Sequence, residues 1–282
     1  MKEPPIPADE DQRLCRLITL GVLDTGSESV LDSFTDLAAS LTGHPIALVS
    51  LVDRERQWMK SAVGVPQGFQ TPRTISFCGH AIASPEEIFE VEDALLDERF
   101  RDNPLVTGEP HVRHYAGAPL VMPGGERIGT LCVIGPTPGR LDEKERLLLA
   151  RLSRSVVEVL LLRERNQDLD ARLRAEQALR ESEASFRAIA NAVPQIIWSA
   201  RPDGTVLFLN ERWCAFTGMA ADRLDDQTWM QVLHPEDLNR TLTAWHHSLA
   251  VGSAFECEYR LRHHSGDYRW VLEVCKHLLF TD

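Results

Sequence analysis

A long stretch without glycine or proline, from Leu141 to Val193, most constrains what this chain can fold into. It is rich in Leu, Glu, Arg and Ala, which have high helix propensity, so it predicts one long helix over Glu143 to Ala190. Apolar residues recur at heptad spacing near its start and give way to polar residues towards its end. This pattern favours a parallel coiled-coil dimer over a single solvated helix, and either would connect two globular units. The seam expected to pair in the dimer consists of Leu152, Val159, Leu162, Asn166, Leu169 and Leu173.

Length, charge and cysteine usage bound the function. A chain of 282 residues favours two domains, and its formal net charge of -12 argues against nucleic acid as a partner. No apolar run reaches the about 18 residues that a membrane span needs, and the Pro-rich, acidic N-terminus is not a secretory signal. The scattered cysteines form no CxxC pair and are expected to be reduced thiols. We therefore expect a cytoplasmic protein with no membrane insertion, whose residues 1–10 form a disordered tail.

The N-terminal unit has the pattern of an α+β domain. Helical faces over Gln12–Leu20 and Ser29–Leu41 precede the apolar run Ile46–Val52, which is typical of a strand covered on both faces. Further strands are predicted over 57–63, 88–91, 115–122 and 127–134, with a short helix over 76–83. Helices flanking a mainly antiparallel sheet are the expected result.

Five segments of this unit carry a family resemblance: IALVSLVDRERQWMKSAVG, RTISFCGHAI, EVEDALLDERFRDNPLVTG, VRHYAGAPL and RIGTLCVIG. Their order and spacing resemble those of a GAF domain, of the kind found at the front of bacterial sensor kinases and cyclic-dinucleotide enzymes. We place this domain at 11–145 and a coiled-coil linker at 146–184. The resemblance implies a sensor module with a pocket over one face of the sheet. Candidate pocket residues are Trp58, Phe77, Cys78, Asp93, Arg113, Tyr115 and Cys132.

Each of these candidates also has a purely structural interpretation. Cys78 and Cys132 are either a redox or chromophore-binding pair or small core side chains. Arg113, together with Asp93 and Arg99, is either part of a polar pocket in which it forms a fork for a carboxylate or phosphate ligand, or Asp93 and Arg99 are ion pairs that pin loops. A bilin is not expected. The cysteine pattern also does not resemble that of GAF methionine sulfoxide reductases, and the cyclic-nucleotide-binding motif of GAF domains is missing.

Residues 185–282 have the pattern of a second α+β unit. Strands are predicted over 196–200, 205–210, 255–262 and 268–280, and helices over 222–232 and 238–250, with Asp237 as the N-cap of the latter. The segments NERWCAFTG, VLHPEDL and FECEYRLRHHSGDYRWV resemble a PAS domain. That family has a fifth strand, which we expect to be missing here. Candidate pocket residues are Trp198, Trp213, Phe216 and His246.

The PAS resemblance implies a pocket for haem, flavin or a small metabolite, or an empty pocket. Haem needs an axial ligand, for which His246 on the long PAS helix is the candidate. The cysteine motif of flavin-adduct light sensors is missing, since Cys214 lies between Trp213 and Ala215. Neither haem nor flavin is expected, and no metal site is expected at zinc spacing. The ligand and any cofactor therefore stay unknown.

No nucleotide-binding box of a kinase, GGDEF-like run, GxSxG motif or metal-ligand cluster occurs in the sequence. We therefore expect no catalytic residues and no enzymatic activity in this chain. The predicted function is the sensory input of a bacterial signal-transduction protein. It relays ligand binding through a dimeric helix to an output domain, which the resemblance implies is most often a histidine kinase. The alternatives are the sensory region of a diguanylate cyclase or phosphodiesterase, or a ligand-free dimerisation scaffold.

Overall fold

A computed structural model describes residues 1–66, 68–201, 203, 205–219 and 228–275. The chain divides into two compact units, Met1–Arg172 and Leu173–Asp282. Each unit combines helices with antiparallel strand pairs, which confirms the predicted α+β class.

The first unit is built on a six-stranded antiparallel sheet of order β3-β2-β1-β6-β5-β4. Its strands are β1 (Ile46–Val52), β2 (Arg56–Val63), β3 (Gln70–Pro72), β4 (Phe89–Val91), β5 (His114–Val121) and β6 (Arg127–Gly135). Its helices are α1 (Glu10–Thr19), α2 (Ser29–Thr42), α3 (Phe77–Ala83), α4 (Pro104–Thr107) and the first part of α5 (Glu143–Ala192).

Strand β1 explains why the sheet has helices or loops on both faces. All seven of its residues are buried, as the apolar run predicts. Because successive side chains point to opposite faces, Ala47, Val49 and Leu51 join a core with α1, α2 and α5. Ile46 and Leu48 join a second core, which contains α3 and the loops around α4. The second core holds the candidate pocket of this unit.

Helix α5 runs without interruption from Glu143 to Ala192, as the lack of glycine and proline predicts. Its first turns are buried through Leu149, Val156 and Leu160. Ion pairs anchor it further along the same unit, joining Arg146 to Glu90, Arg163 to Glu28 and Glu164 to Arg16. The packed part of α5 therefore extends beyond the predicted limit at residue 145. Among the described residues, no helix is both long and apolar enough to cross a bilayer.

The predicted dimer seam on α5 changes character along the helix. Leu152 and Val159 are half-buried against the core of their own unit. Beyond them Leu162, Leu169 and Leu173 are each 55% exposed, and Asn166 is exposed as well. The second half of the predicted seam is thus an apolar stripe on the surface of the isolated chain.

The N-terminal segment, for which the sequence predicts disorder, contacts the first unit. The Lys2 N–H donates to the Arg99 carbonyl oxygen at 3.0 Å, and the Lys2 carbonyl oxygen lies 3.1 Å from His80 Nε2. The amino group of Met1 pairs with Asp102. The sequence prediction rests on proline content and charge, which do not register such contacts.

The second unit has two strand pairs, β7 (Trp198–Ala200) with β8 (Val206–Leu209) and β9 (Phe255–Arg262) with β10 (Tyr268–Cys275). Its helices are α6 (Glu211–Thr217) and α7 (Pro235–Val251), preceded by a 3₁₀ helix over Thr228–Val232. The start of the predicted helix over 222–232 and the end of the strand predicted over 268–280 lie outside the described residues.

Helix α7 begins earlier than the sequence predicts. Its N-cap is His234, whose ring accepts from the Glu236 N–H, and Pro235 takes the first helical position. Asp237 lies in the first turn instead and binds Arg260 Nε at 2.9 Å. The prediction of Asp237 as the N-cap was therefore wrong, because proline is favoured at the first position of a helix and moves the cap upstream.

Candidate functional site

The second unit contains a cavity of about 490 Å³ between its two strand pairs and helix α7. A cavity of this size suits a small organic ligand. Most of its walls are aromatic or aliphatic. The tryptophans that line it are Trp198, Trp213, Trp229 and Trp245.

Two polar features interrupt these apolar walls. The Tyr259 hydroxyl donates to the carboxylate of Glu273, a lining residue whose pKa is raised because burial penalises its charged form. The indole Nε1–H of Trp213 is buried and has no hydrogen-bond partner in the described part of the chain. A buried donor without a partner costs free energy, which a ligand with an acceptor group would recover.

The structure sorts the four PAS candidates into two groups. Trp198 and Trp213 line the cavity, whereas Phe216 does not line it and makes a T-shaped ring contact with His263. His246 is exposed on α7, and the preceding Trp245 faces the cavity instead. Adjacent helical residues point about 100° apart, so only one of the two can face inward. Over the described ranges, no group of three or more His, Cys, Asp or Glu side chains is placed to hold a metal ion.

The first unit contains a smaller cavity of about 220 Å³ on the α3 side of the sheet. Three of the candidate residues line it, namely Phe77, Cys78 and Tyr115. Trp58 was predicted at this wall but is buried in the opposite core with α2 and α5. Its neighbours Gln57 and Met59 line the cavity instead, because side chains alternate along β2.

Asp93 and Arg113 bind each other rather than the cavity. Arg113 Nε and Nη2 donate to the two carboxylate oxygens of Asp93 at 2.8 and 2.7 Å, which lowers the pKa of that carboxyl. Arg99 pairs with Asp97 at 2.6 Å, not with Asp93. Neither Asp93 nor Arg113 lines the cavity. Asp93 and Arg99 each form an ion pair, but with Arg113 and Asp97 instead of with each other.

Cys78 lines the smaller cavity, whereas Cys132, also predicted as a pocket residue, lies behind Cys78 and does not line it. Their Sγ atoms lie 3.8 Å apart although the residues are far apart in sequence, and both side chains are buried. The Tyr115 hydroxyl donates to Cys78 Sγ at 3.2 Å. Gly117 makes room for this hydroxyl, since a Cβ at that position would lie 2.2 Å from the Tyr115 oxygen.

The ionisation of the thiol pair is uneven. Burial opposes ionisation of Cys78, but interactions with the Cys132 thiol, the hydroxyls of Ser50 and Thr130, and Tyr115 outweigh it and lower the pKa of Cys78 to about 7. The hydrogen bond with Cys78, followed by burial, raises the pKa of Cys132 well above its usual range. The pair therefore releases its first proton from Cys78 and holds the second tightly.

A partly buried polar chain, which the sequence analysis missed, connects the sheet to α5. His44 Nε2 lies 2.8 Å from His114 Nδ1, and His114 Nε2 lies 3.1 Å from Glu90 Oε1. Glu90 in turn pairs with Arg146 on α5 and accepts from the Leu141 N–H at 2.6 Å. Burial, and then the charge of His114, lowers the pKa of His44.

Two family models match the chain. The model of the GAF domain matches residues 27–160, and that of the PAS fold matches residues 206–280. The chain therefore carries a GAF domain followed by a PAS domain, as the sequence motifs indicate.

The chain spans only a part of the curated relatives that it matches. The chain is 44% identical over 158 residues to the cyclic di-GMP phosphodiesterase PA2567 of Pseudomonas aeruginosa, covering 56% of this chain and 27% of that protein. It is 26% identical over 114 residues to the peroxide stress-activated histidine kinase mak1 of Schizosaccharomyces pombe, covering 36% of this chain and 7% of that protein. The chain thus spans well under a third of either relative. A solved GAF domain from an Acinetobacter phosphoenolpyruvate-protein phosphotransferase aligns with a TM-score of 0.41 at 22% identity, covering 55% of this chain and 93% of that domain.

Proposed function

We propose that this chain is the sensory input region of a bacterial signal-transduction protein. Its PAS cavity binds a small, largely apolar molecule that carries a hydrogen-bond acceptor, and its GAF domain supplies a second sensing surface. The chain pairs with a second copy through α5 and passes the state of its domains to an output domain. It acts without a catalytic step of its own.

One observation carries this proposal: a single helix is anchored in both domains. In the GAF unit α5 is held by Arg146, Arg163 and Glu164. Near its other end, the Asn210 side chain of the PAS unit donates to the Ala190 carbonyl oxygen at 2.7 Å. A change in packing that moves one anchored segment therefore acts on α5, which is a continuous hydrogen-bonded helix.

The exposed apolar stripe of Leu162, Leu169 and Leu173 supports pairing through α5. Leucines at heptad spacing on an otherwise polar helix gain stability by packing against the same stripe on another chain. Asn166 lies between them, where an asparagine fixes the register of two parallel strands and weakens their packing. Two packings of similar free energy are what a relay needs, because ligand binding then shifts their populations.

For the output domain we propose only the class of enzyme. The region shared with a cyclic di-GMP phosphodiesterase supports an enzyme of cyclic-dinucleotide metabolism. The weaker similarity to a histidine kinase supports a two-component kinase. In either case the protein acts in the cytoplasm, where the nucleotide substrates of both enzyme classes are found.

Ligand binding is tested on the purified chain. Native mass spectrometry and absorbance spectra would detect a co-purified molecule, and the fluorescent probe anilinonaphthalene sulfonate would report the cavity. We expect one probe site per chain, removed when Val271→Trp fills the cavity and kept when the exposed Val251→Trp is made as a control. A probe that binds both variants equally, with no co-purified ligand, would reduce the PAS domain to a scaffold.

A further inference from the structure

One residue of the thiol pair in the GAF domain lines the cavity and the other does not. Cys78 lines the cavity, whereas Cys132 is fully buried on strand β6 behind it. The two sulfurs are 3.8 Å apart, and a disulfide bond is about 2.05 Å long. Closing that gap takes a small movement of side chains on α3 and β6.

The surroundings of the pair are more polar than core packing requires. The hydroxyls of Ser50 and Thr130 are both buried in facing strand positions, and neither has a hydrogen-bond partner of normal geometry among the described residues. Both hydroxyls favour the ionised form of the Cys78 thiol, to which Tyr115 donates a hydrogen bond. Buried hydroxyls without partners are uncommon in folded proteins. Here they surround an atom that becomes more negative when its proton leaves.

We propose that Cys78 and Cys132 form a hydroperoxide-reactive dithiol, in which Cys78 attacks a peroxide held in the GAF cavity and Cys132 then closes a disulfide. This inference deepens the proposed sensory function and rests on it, because it names one class of molecule that the GAF domain reads. The reaction is stoichiometric and is reversed by a thiol reductant.

The proposed reaction has two steps, formation of a sulfenic acid at Cys78 and then formation of the disulfide. The Cys78 thiolate attacks the terminal oxygen of R–O–O–H, the O–O bond breaks, and the alkoxide takes up the proton that Cys78 released, giving ROH and a Cys78 sulfenic acid. The Cys132 sulfur then attacks the Cys78 sulfur, the S–O bond breaks, and the hydroxyl leaves as water with the Cys132 proton. The two thiols lose two electrons, and the peroxide gains them.

The ionisation of the pair suits this order. The lowered pKa of Cys78, about 7, leaves a substantial thiolate fraction at neutral pH, and the thiolate is the nucleophile. Cys132 keeps its proton until the second step, when that proton is needed to form water. An isolated buried thiol in an apolar core would instead stay protonated and inert.

The cavity selects among hydroperoxides. Apolar side chains make up most of its wall, including Leu48, Met59 and Phe77. An alkyl or aryl hydroperoxide therefore gains apolar burial that hydrogen peroxide cannot. The expected signal is an organic hydroperoxide rather than hydrogen peroxide.

Disulfide closure would reach α5 through the sheet. Strand β6 pairs with β5, where Cys132 is opposite Gly117 and His114 is opposite Gly135. His114 leads through Glu90 to Arg146 on α5. A pull on β6 therefore acts on the strand pair that holds the start of the helix.

The test uses the purified full chain with cumene hydroperoxide and hydrogen peroxide as probes. After alkylation of the remaining thiols and proteolysis, mass spectrometry should find the Cys78 and Cys132 peptides joined, with a loss of two hydrogens per chain that dithiothreitol reverses. Cumene hydroperoxide should react faster than hydrogen peroxide. The variant Cys15→Ser, which removes an exposed thiol elsewhere in the unit, should form the same bridge.

Single variants separate the two roles. Cys132→Ser should accumulate a sulfenic acid at Cys78 that dimedone traps, and Cys78→Ser should leave Cys132 unreacted. If Cys78→Ser fails to fold, the Cys132→Ser trapping experiment carries the test. Oxidation at Cys15 alone, or separate oxidation of both buried thiols without a bridge, would overturn the proposal. These readouts depend on neither dimerisation nor the PAS cavity, so their failure is distinct from failure of the proposed function.

Discussion

Two leucines on α5 separate the packing of the helix on its own domain from its pairing with another chain. Leu160 is 1% exposed and belongs to the GAF core, whereas Leu162 is 55% exposed on another side of the same helix. We expect Leu160→Ala to destabilise the GAF unit whatever the chain concentration. Leu162→Ala should weaken only the dimer.

The expected loss of stability for each substitution follows from how deeply the leucine is buried. Replacing leucine with alanine removes roughly three methylene equivalents, or about 2.4 kcal/mol of transfer free energy at about 0.8 kcal/mol each. The unfilled cavity raises the cost for Leu160 to about 3–4 kcal/mol. For the exposed Leu162 the cost to the isolated unit should stay within about 0.5 kcal/mol.

Amide hydrogen exchange of strand β1, followed by mass spectrometry, measures the opening free energy of the GAF unit separately from the PAS unit. It should be recorded at several chain concentrations, because only a dimer contribution depends on concentration. A cost of less than about 1 kcal/mol for Leu160→Ala, far below the range for buried leucines, would contradict the packing of Leu160 in the GAF core. A destabilisation of β1 by Leu162→Ala that is equal at every concentration would contradict a role of Leu162 in the dimer alone.

Three other perturbations test separate parts of the account. Because burial and His114 lower the pKa of His44, the folded chain protonates His44 less readily than the unfolded chain does. The free energy of unfolding should therefore fall as pH drops below about 6.5. Urea unfolding at pH 5.5 and 7.5 should show this loss of stability, and His44→Phe should make the loss smaller. Tyr115→Phe removes the donor to Cys78 and should slow alkylation of that thiol and move its pH profile upward, whereas alkylation of Cys15 stays unchanged. Asn166→Leu should strengthen the dimer, measured by sedimentation equilibrium, and an unchanged association constant with a monomer at micromolar concentration would remove Asn166 from the seam.

Much of the fold is predictable because the local patterns agree with the packing. The apolar run at Ile46–Val52 specifies a strand covered on both faces, and a stretch free of glycine and proline specifies α5. The glycine at position 43 ends α2 in the left-handed conformation that glycine adopts easily.

The errors at the candidate sites have separate physical causes. Alternation along β2 places Trp58 opposite its neighbours but does not say which face carries the cavity. The misplacement of His246 was avoidable, because Leu238, Leu242 and Trp245 recur at helical spacing on α7 and predict that Trp245 faces inward.

Contacts between distant segments lie beyond any local pattern. The approach of Cys78 to Cys132 depends on how α3 docks on β6, and the histidine chain depends on His44 and His114 meeting across the sheet. Both contacts are set by tertiary packing, which sequence periodicity does not report.

Site-specific crosslinking shows whether α5 joins two copies of this chain in parallel. In a Cys15→Ser background, Asn166→Cys places a thiol on the proposed seam and Ala171→Cys places one on the opposite side of the exposed helix. We expect rapid crosslinking to a dimer by a short bis-maleimide at position 166 and little at position 171. Equal crosslinking at both positions, or a monomer that crosslinks at neither, would contradict it.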